Sequence, residues 1–170
     1  MFWIDADAPL RTDEFTLPSV PDIYRKKWRY MRAIGTLRGR GYYLPFLTFL
    51  DAADYFDSLG NLLAILAGIP DGRVSQGEPV TDLILHFIDG AGVNRPYPVR
   101  CIYPPIFPGD KWWSETLRQG NAHREKANMP WQYHNGACWP WMGGLYVAAL
   151  VRAGRMEKAE EELTRLAEAG

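Results

Sequence analysis

The sequence predicts an all-α fold of antiparallel helical hairpins joined by long loops. Three observations predict it. Apolar residues recur at three- and four-residue spacing in several separate stretches. Prolines, glycines and short polar residues bound those stretches. The last two are separated only by a short turn at Gly154, the spacing of a helical hairpin.

Composition sets the frame. A chain of 170 residues predicts one domain, 1–170, with room for a real core. Its 47% apolar and 14% aromatic content describes a globular chain, not a disordered one. A formal net charge of −1 gives no bulk field toward nucleic acid or membrane, and neither is expected as a partner. The two cysteines, Cys101 and Cys138, make neither a disulfide framework nor a metal cluster, and fit a reducing cytoplasm. No apolar run approaches the roughly 18 residues of a spanning helix. The start, Met1-Phe2-Trp3-Ile4-Asp5, lacks the basic n-region of a signal peptide.

The elements follow in order. Residues 1–19 read as an extended stretch and loop, with Asp5 and Asp7 either in a surface turn or lining a site. Pro21 to Ile34 is the first helix, with Ile23, Tyr24, Trp28, Met31 and Ile34 on one face. Its basic face, Arg25 to Arg32, reads as solvated because the rest of the chain balances the charge. Gly39 to Leu50 is a loop descending into the core. Asp51 to Ala67 is the second helix, capped by Asp51, with Phe56, Leu59, Leu63 and Leu66 as its inner stripe. Asp51, Asp54 and Asp57 stand near its positive end, where a carboxylate is stabilised as an anion. That suits a cap or a hydrogen-bond acceptor better than a general acid.

Pro70 to Gly77 is a turn, and Pro79 to Gly90 the third helix, with Val80, Leu83, Ile84 and Phe87 inward and His86 structural. Asn94 to Pro130 is too long for an ordinary connection, and long ordered loops are usually functional. Within it, Lys111 to Gln119 is a candidate short helix. Its Trp112 and Trp113 are either a sugar-stacking platform or a rim contact. Trp141 to Val151 is a buried helix opened by Pro140 at its first position. Met156 to Ala169 closes the hairpin, with Met156, Ala159, Leu163 and Leu166 inward.

One stretch concentrates the chemistry. Met129 to Ala148 holds Trp131, Tyr133, His134, Trp139 and Trp141, too many amphipathic rings for a solvated loop. Rings beside His and Asn donors suit a flat ligand edged by hydroxyls, which means a sugar. The competing reading is a core helix behind an aromatic loop. His123 and His134 have no third ligand at a convincing spacing, so no metal is expected, and no cofactor.

These residues also carry a resemblance. Trp131-Gln132-Tyr133-His134-Asn135-Gly136, followed by Trp139-Pro140, resembles the signature of the alkaline/neutral invertase family. Amylo-α-1,6-glucosidase domains of glycogen-debranching enzymes carry a similar stretch, and Trp141-Met142-Gly143-Gly144 is closer to their version. Arg100-Cys101-Ile102-Tyr103-Pro104 resembles the invertases' basic-Ile-Cys-Tyr-Pro stretch, with Ile and Cys exchanged. Leu59-Gly60-Asn61-Leu62, Phe2-Trp3-Ile4-Asp5 and Asp22-Ile23-Tyr24-Arg25 fit in the family's order.

The resemblance implies an (α/α)₆ toroid that hydrolyses glycosidic bonds with two carboxylic acids. Twelve minimal helices with loops need roughly 190 residues, so the expectation is a partial toroid, the later part of the ring. The family's two acid-bearing motifs have no counterpart here, and no catalytic carboxylate is carried over. The implied substrate-binding wall is Tyr133, His134, Asn135 and Trp139, with Trp131, Gln132 and Trp141 beside them.

Three functions stay open. One is a glycoside hydrolase piece that is inactive alone. Another is a self-sufficient small hydrolase using Asp57 and Glu115. The third is a non-catalytic carbohydrate-binding or assembly module. An incomplete toroid leaves apolar helix faces uncovered, which implies a homo-oligomer or a missing barrel segment as partner.

Overall fold

A computed structural model describes residues 2–5, 37, 39–47, 52–96, 98–113 and 128–168. The expected first helix at 21–34, Asp7, Asp51, Glu115 and His123 lie outside the described residues. Among the described residues there are four helices and two small sheets. The helices are α1 (Ser58–Leu66), α2 (Val80–Gly90), α3 (Pro140–Arg152) and α4 (Met156–Glu168). The strands are β1 (Phe56–Asp57), β2 (Val74–Ser75), β3 (Glu78–Pro79) and β4 (Ile102–Tyr103). None of these helices is long and apolar enough to cross a membrane.

The strands depart from the all-α expectation. Each is two residues long, too short for apolar alternation to register in a sequence. β2 and β3 form a hairpin around Gln76 and Gly77, both at positive φ, the mirror-image turn that matches strand twist. β1 and β4 pair antiparallel, Phe56 opposite Tyr103 and Asp57 opposite Ile102.

That pairing also explains a corrected boundary. The second helix was expected from Asp51, but it begins at Ser58 behind β1, and the Asp57 carboxylate caps the Gly60 N–H at 3.2 Å. The buried face is corrected too. Leu59 and Leu63 were expected inward, yet both are exposed, Leu63 by 47%. Ser58, Asn61, Leu62, Ala64 and Ile65 face the core instead. Two polar residues can occupy that face because the backbone satisfies them. The Ser58 hydroxyl donates to the Arg100 carbonyl. Asn61 accepts from the Tyr43 N–H at 2.8 Å and donates to the carbonyls of Tyr43 (3.0 Å) and Asp57 (2.8 Å).

α3 and α4 form an antiparallel hairpin. α3 packs on both α4 and α1. The start of α1 and the approach to α3 meet at Cys101, which accepts from Ser58 N and donates to the Ala137 carbonyl. At the far ends Arg152 of α3 donates to the Ile65 carbonyl of α1 at 3.1 Å. The two helices therefore run parallel. Arg155 beside α4 pairs with Asp82 near the start of α2. Further along, Asn94, just past the end of α2, donates to both Asp89 and Glu162. α2 and α4 run parallel as well. Between the layers lie Ile84, Ile88, Leu62, Met142, Tyr146 and Leu150, and the rings of Tyr42, Phe56 and Phe87 meet at 4.5–5.2 Å.

The last helix also departs from its expected stripe. Met156 and Leu163 are exposed, the latter by 53%, and Ala159 and Glu162 are buried. Glu162 can sit there because Lys158 (3.2 Å), Arg165 (3.1 Å) and Asn94 (3.1 Å) surround its carboxylate. α3 was expected apolar and buried all round. Its Trp141 and Val151 are instead exposed.

Replacing Asn61 with Ala strands the buried N–H and C=O of Tyr43. Urea unfolding is expected to show a loss of about 2–4 kcal/mol. A second prediction concerns alkali. Burial, reinforced by Asp54 and opposed by Arg40, pushes the Tyr42 hydroxyl from 10.0 up to about 12. A raised pKa stabilises the protonated fold, so that stability is full below pH 10.0 and is lost as pH rises toward about 12. Tyr42→Phe should remove that part of the alkaline decline, on the order of 2 kcal/mol, in urea melts compared across this range.

Candidate carbohydrate site

The predicted residues collect around one tight turn at the start of α3. Backbone bonds close it: Trp131 N–H to Asn135 O (2.7 Å), Gln132 N–H to Met129 O (2.9 Å) and Asn135 N–H to Gln132 O (2.8 Å). Trp131 and Tyr133 both adopt positive φ, +70° and +45°. Side chains with a Cβ rarely sit there, and such strain persists only where the surroundings impose it. Gly136 follows at φ +92°, where an added Cβ would stand 3.1 Å from Pro105.

The surroundings do impose it. The extended segment Arg100–Tyr103 lies under the turn. The buried Cys101 thiol shares its S–H between the carbonyls of Tyr133 (3.3 Å) and His134 (3.1 Å) and accepts the Gly136 N–H at 3.3 Å. Burial pushes this thiol up, although several backbone N–H groups pull the other way. It serves as an internal clamp, not a nucleophile. Arg100 donates to the Gly136 carbonyl at 3.1 Å and rests its guanidinium 4.2 Å from the Trp131 ring centre.

The predicted wall divides into two roles. Tyr133, His134 and Trp139 form a ring cluster, with centroids 3.9 Å (Tyr133–His134), 5.4 Å (Tyr133–Trp139) and 6.0 Å (His134–Trp139) apart. The Trp139 indole donates to the Tyr133 carbonyl at 3.2 Å, which fixes its ring. Tyr133 and Trp131 are 45% and 43% exposed, and Gln132 and His134 are exposed beside them. Trp131 meets Tyr103 and Phe107 on its inner side. Trp141, the second residue of α3, is half exposed.

Asn135 is placed apart. It is buried, and its amide pairs with Ile106 both ways, accepting at 2.7 Å and donating at 2.8 Å, with a further bond to the Asn128 carbonyl at 3.0 Å. It positions the turn. Asp57, a candidate acid, caps α1; burial pushes its carboxyl up, against the Gly60 and Leu59 N–H groups.

A cleft of about 320 Å³ is lined by Asp54, Tyr55, Pro104, Pro105, Ile106, Asp110, Lys111 and Trp112. Asp54 and Trp112 carried a sequence signal as a helix-end acid and an aromatic pair. Tyr55 and Asp110 carried none, because only the fold of the 104–112 loop brings them together. Among the described residues no group of three or more His, Cys, Asp or Glu side chains is placed to hold a metal.

Asn135→Ala leaves the Ile106 N–H and C=O without their partner. It should lower stability by about 2–4 kcal/mol in urea melts and release the turn, read as faster amide exchange at 131–136.

The sequence has relatives. Residues 38–169 match the family profile described as alkaline and neutral invertase. The chain is 31% identical over 106 residues to alkaline/neutral invertase C, mitochondrial, of Arabidopsis thaliana, covering 62% of this chain and 14% of that protein. It is 30% identical over 109 residues to the probable alkaline/neutral invertase A, chloroplastic, of the same plant, covering 64% and 16%. Neutral/alkaline invertase 1, mitochondrial, of Oryza sativa subsp. japonica is 28% identical over 110 residues, covering 64% and 15%. The matched part thus spans about one-seventh of the length of these relatives. Because the profile runs through all four helices, the Arg100–Tyr103 segment and the whole ring cluster, the chain belongs to the alkaline and neutral invertase family.

Proposed function

We propose that the chain supplies the sugar-binding wall of a glycoside hydrolase built as an (α/α)₆ toroid. One observation carries the reading: the rings of Tyr133 and His134 are held exposed on a strained turn by Cys101 and Asn135, against a Trp139 ring that is half-buried on the core. Burying such rings would be the default for a turn with no ligand. Ring faces stack on the apolar face of a sugar, and His134 and Gln132 offer polar groups to its hydroxyls. Asn135 serves as a positioning residue on this reading.

An antiparallel α3–α4 hairpin beside a parallel α1 is consistent with one sector of a toroid. The exposed Leu59 and Leu63 of α1 and Trp141 and Val151 of α3 are then faces that neighbouring hairpins, from more chain or a second copy, cover. The carboxylates for bond cleavage come from outside the ring cluster, and the 170-residue chain alone binds without turnover. Sucrose and α-1,6-linked glucose are the two substrate classes that the motifs support.

Calorimetric titration of the 170-residue chain with sucrose, maltose, isomaltose and a limit dextrin tests this. Saturable binding to at least one sugar, weakened about five-fold by Trp139→Ala, is expected. No binding across the panel overturns the wall. Steady hydrolysis, abolished by replacing a carboxylate of this chain, overturns the expectation of silence.

A further inference from the structure

We propose that Asn135 is a latent self-modification site: its amide is inert while the aromatic turn is closed and deamidates once the turn opens, which then keeps the turn from closing again. Asn135–Gly136 is the one asparagine–glycine pair in the sequence. Asparagine is most reactive ahead of glycine, where no Cβ hinders the approach of the following nitrogen and the backbone turns freely. In the reaction the Gly136 nitrogen gives up its proton and attacks the amide carbon of Asn135. A C–N bond closes a succinimide ring, the bond to Nδ2 breaks, and Nδ2 leaves as ammonia with that proton. Water then opens the ring to aspartate or to isoaspartate, whose backbone runs through the side-chain carbon.

The closed turn holds each reacting group. The Gly136 N–H donates to Cys101 Sγ at 3.3 Å. Swinging the Gly136 nitrogen toward the side chain also moves the Asn135 carbonyl, which accepts the Trp131 N–H at 2.7 Å. The amide oxygen accepts the Ile106 N–H at 2.7 Å. Nδ2, the leaving group, donates to the carbonyls of Ile106 at 2.8 Å and Asn128 at 3.0 Å. Asn135 is only 4% exposed, which keeps water from the ring-opening step. Opening the turn removes these restraints together. The product cannot rebuild them. Aspartate has no donor for the two carbonyls that Nδ2 meets, and it sets a negative charge against them. Isoaspartate also lengthens the backbone inside the loop that the Trp131–Asn135 bond closes. Either product leaves Trp131, Tyr133 and His134 on a turn without its clamp. The pair is a one-way record of turn opening. Its chemistry uses only water and does not depend on what the rings bind.

The test follows the amide-to-acid mass gain of the peptide containing 131–136 after the 170-residue chain has stood in mildly alkaline buffer. Folded chain, chain in sub-denaturing urea and chain unfolded in urea are compared. The unfolded chain is expected to convert at least about 100-fold faster than the folded one, which reacts only through its open state. Between these limits the rate should rise in step with Gly136 amide exchange, which reads the same opening. Cys101→Ala frees the Gly136 N–H and should convert about ten-fold faster than the parent under folding conditions. Converted chain, separated by ion exchange, should lose amide-exchange protection at 131–136. Equal rates in folded and unfolded chain, or no conversion in the unfolded chain, overturn the proposal. So does a rate that fails to follow Gly136 exchange across the urea series, a comparison that stands even where Cys101→Ala does not fold. An unchanged rate in folded Cys101→Ala overturns the role given to the thiol. Full protection in the converted chain overturns the one-way step.

Discussion

The extended segment Arg100–Tyr103 is hydrogen-bonded along both edges, and the site depends on that pairing. On one edge it meets Phe56, Asp57 and Ser58. On the other it meets Ala137 and Cys138. A third bond ties the Arg100 N–H to Val93, beyond the end of α2. Chain that leads into α1 and chain that leads into α3 are thereby brought side by side. The parallel course of those two helices follows from this local pairing. The Cys101 side chain, buried between the edges, then reaches the carbonyls of the aromatic turn. One short segment positions α1, α3 and the site.

Two asparagines extend the same logic to loops outside the four strands. Asn61 bonds the N–H and C=O of Tyr43, and Asn135 those of Ile106. A planar amide presents one donor and one acceptor side by side, so it can pair with one residue's backbone as a neighbouring strand would. Aspartate lacks the donor. A buried loop needs every polar backbone group satisfied, and these two side chains meet that demand where regular structure does not. The loops they hold carry Tyr42 into the core and Ile106 to the lining of the cleft.

Much of this was legible in the sequence. The periodic stretches of α2, α3 and α4 lie within a few residues of their expected bounds, Pro140 opens α3, and Trp131 to Trp139 stands at one place. The misses share a cause. Apolar spacing assumes that buried faces are apolar, and two helices break that assumption. Ser58 and Asn61 turn α1, and the compensated Glu162 turns α4, so that Leu63 and Leu163 face outward. Asn135 was read as a sugar contact because a polar residue among rings suggests a ligand. Its bonds to Ile106 come from a loop 29 residues away, which no local pattern reveals. The cleft is likewise a product of long-range folding, and only Asp54 and Trp112 announced it.

The aromatic turn shows a conflict between local preference and display. Hydrophobic burial would draw Trp131 and Tyr133 inward, and their backbones would relax toward negative φ. Neither happens. Of the residues that hold them there, Cys101 and Arg100 are spent on carbonyls and an amide of the same turn and Asn135 on the backbone of Ile106 and Asn128, and Gly136 supplies a tight corner at positive φ. These contacts stabilise the strained shape while Trp131 and Tyr133 stay 43% and 45% exposed. A turn selected only for stability has simpler solutions: glycine or asparagine at the positive-φ positions, and small polar side chains at the surface. Large rings at both positions cost stability on two counts, strain and exposed apolar area. On the proposed reading, the compensation is an array of rings whose geometry is set before a sugar arrives.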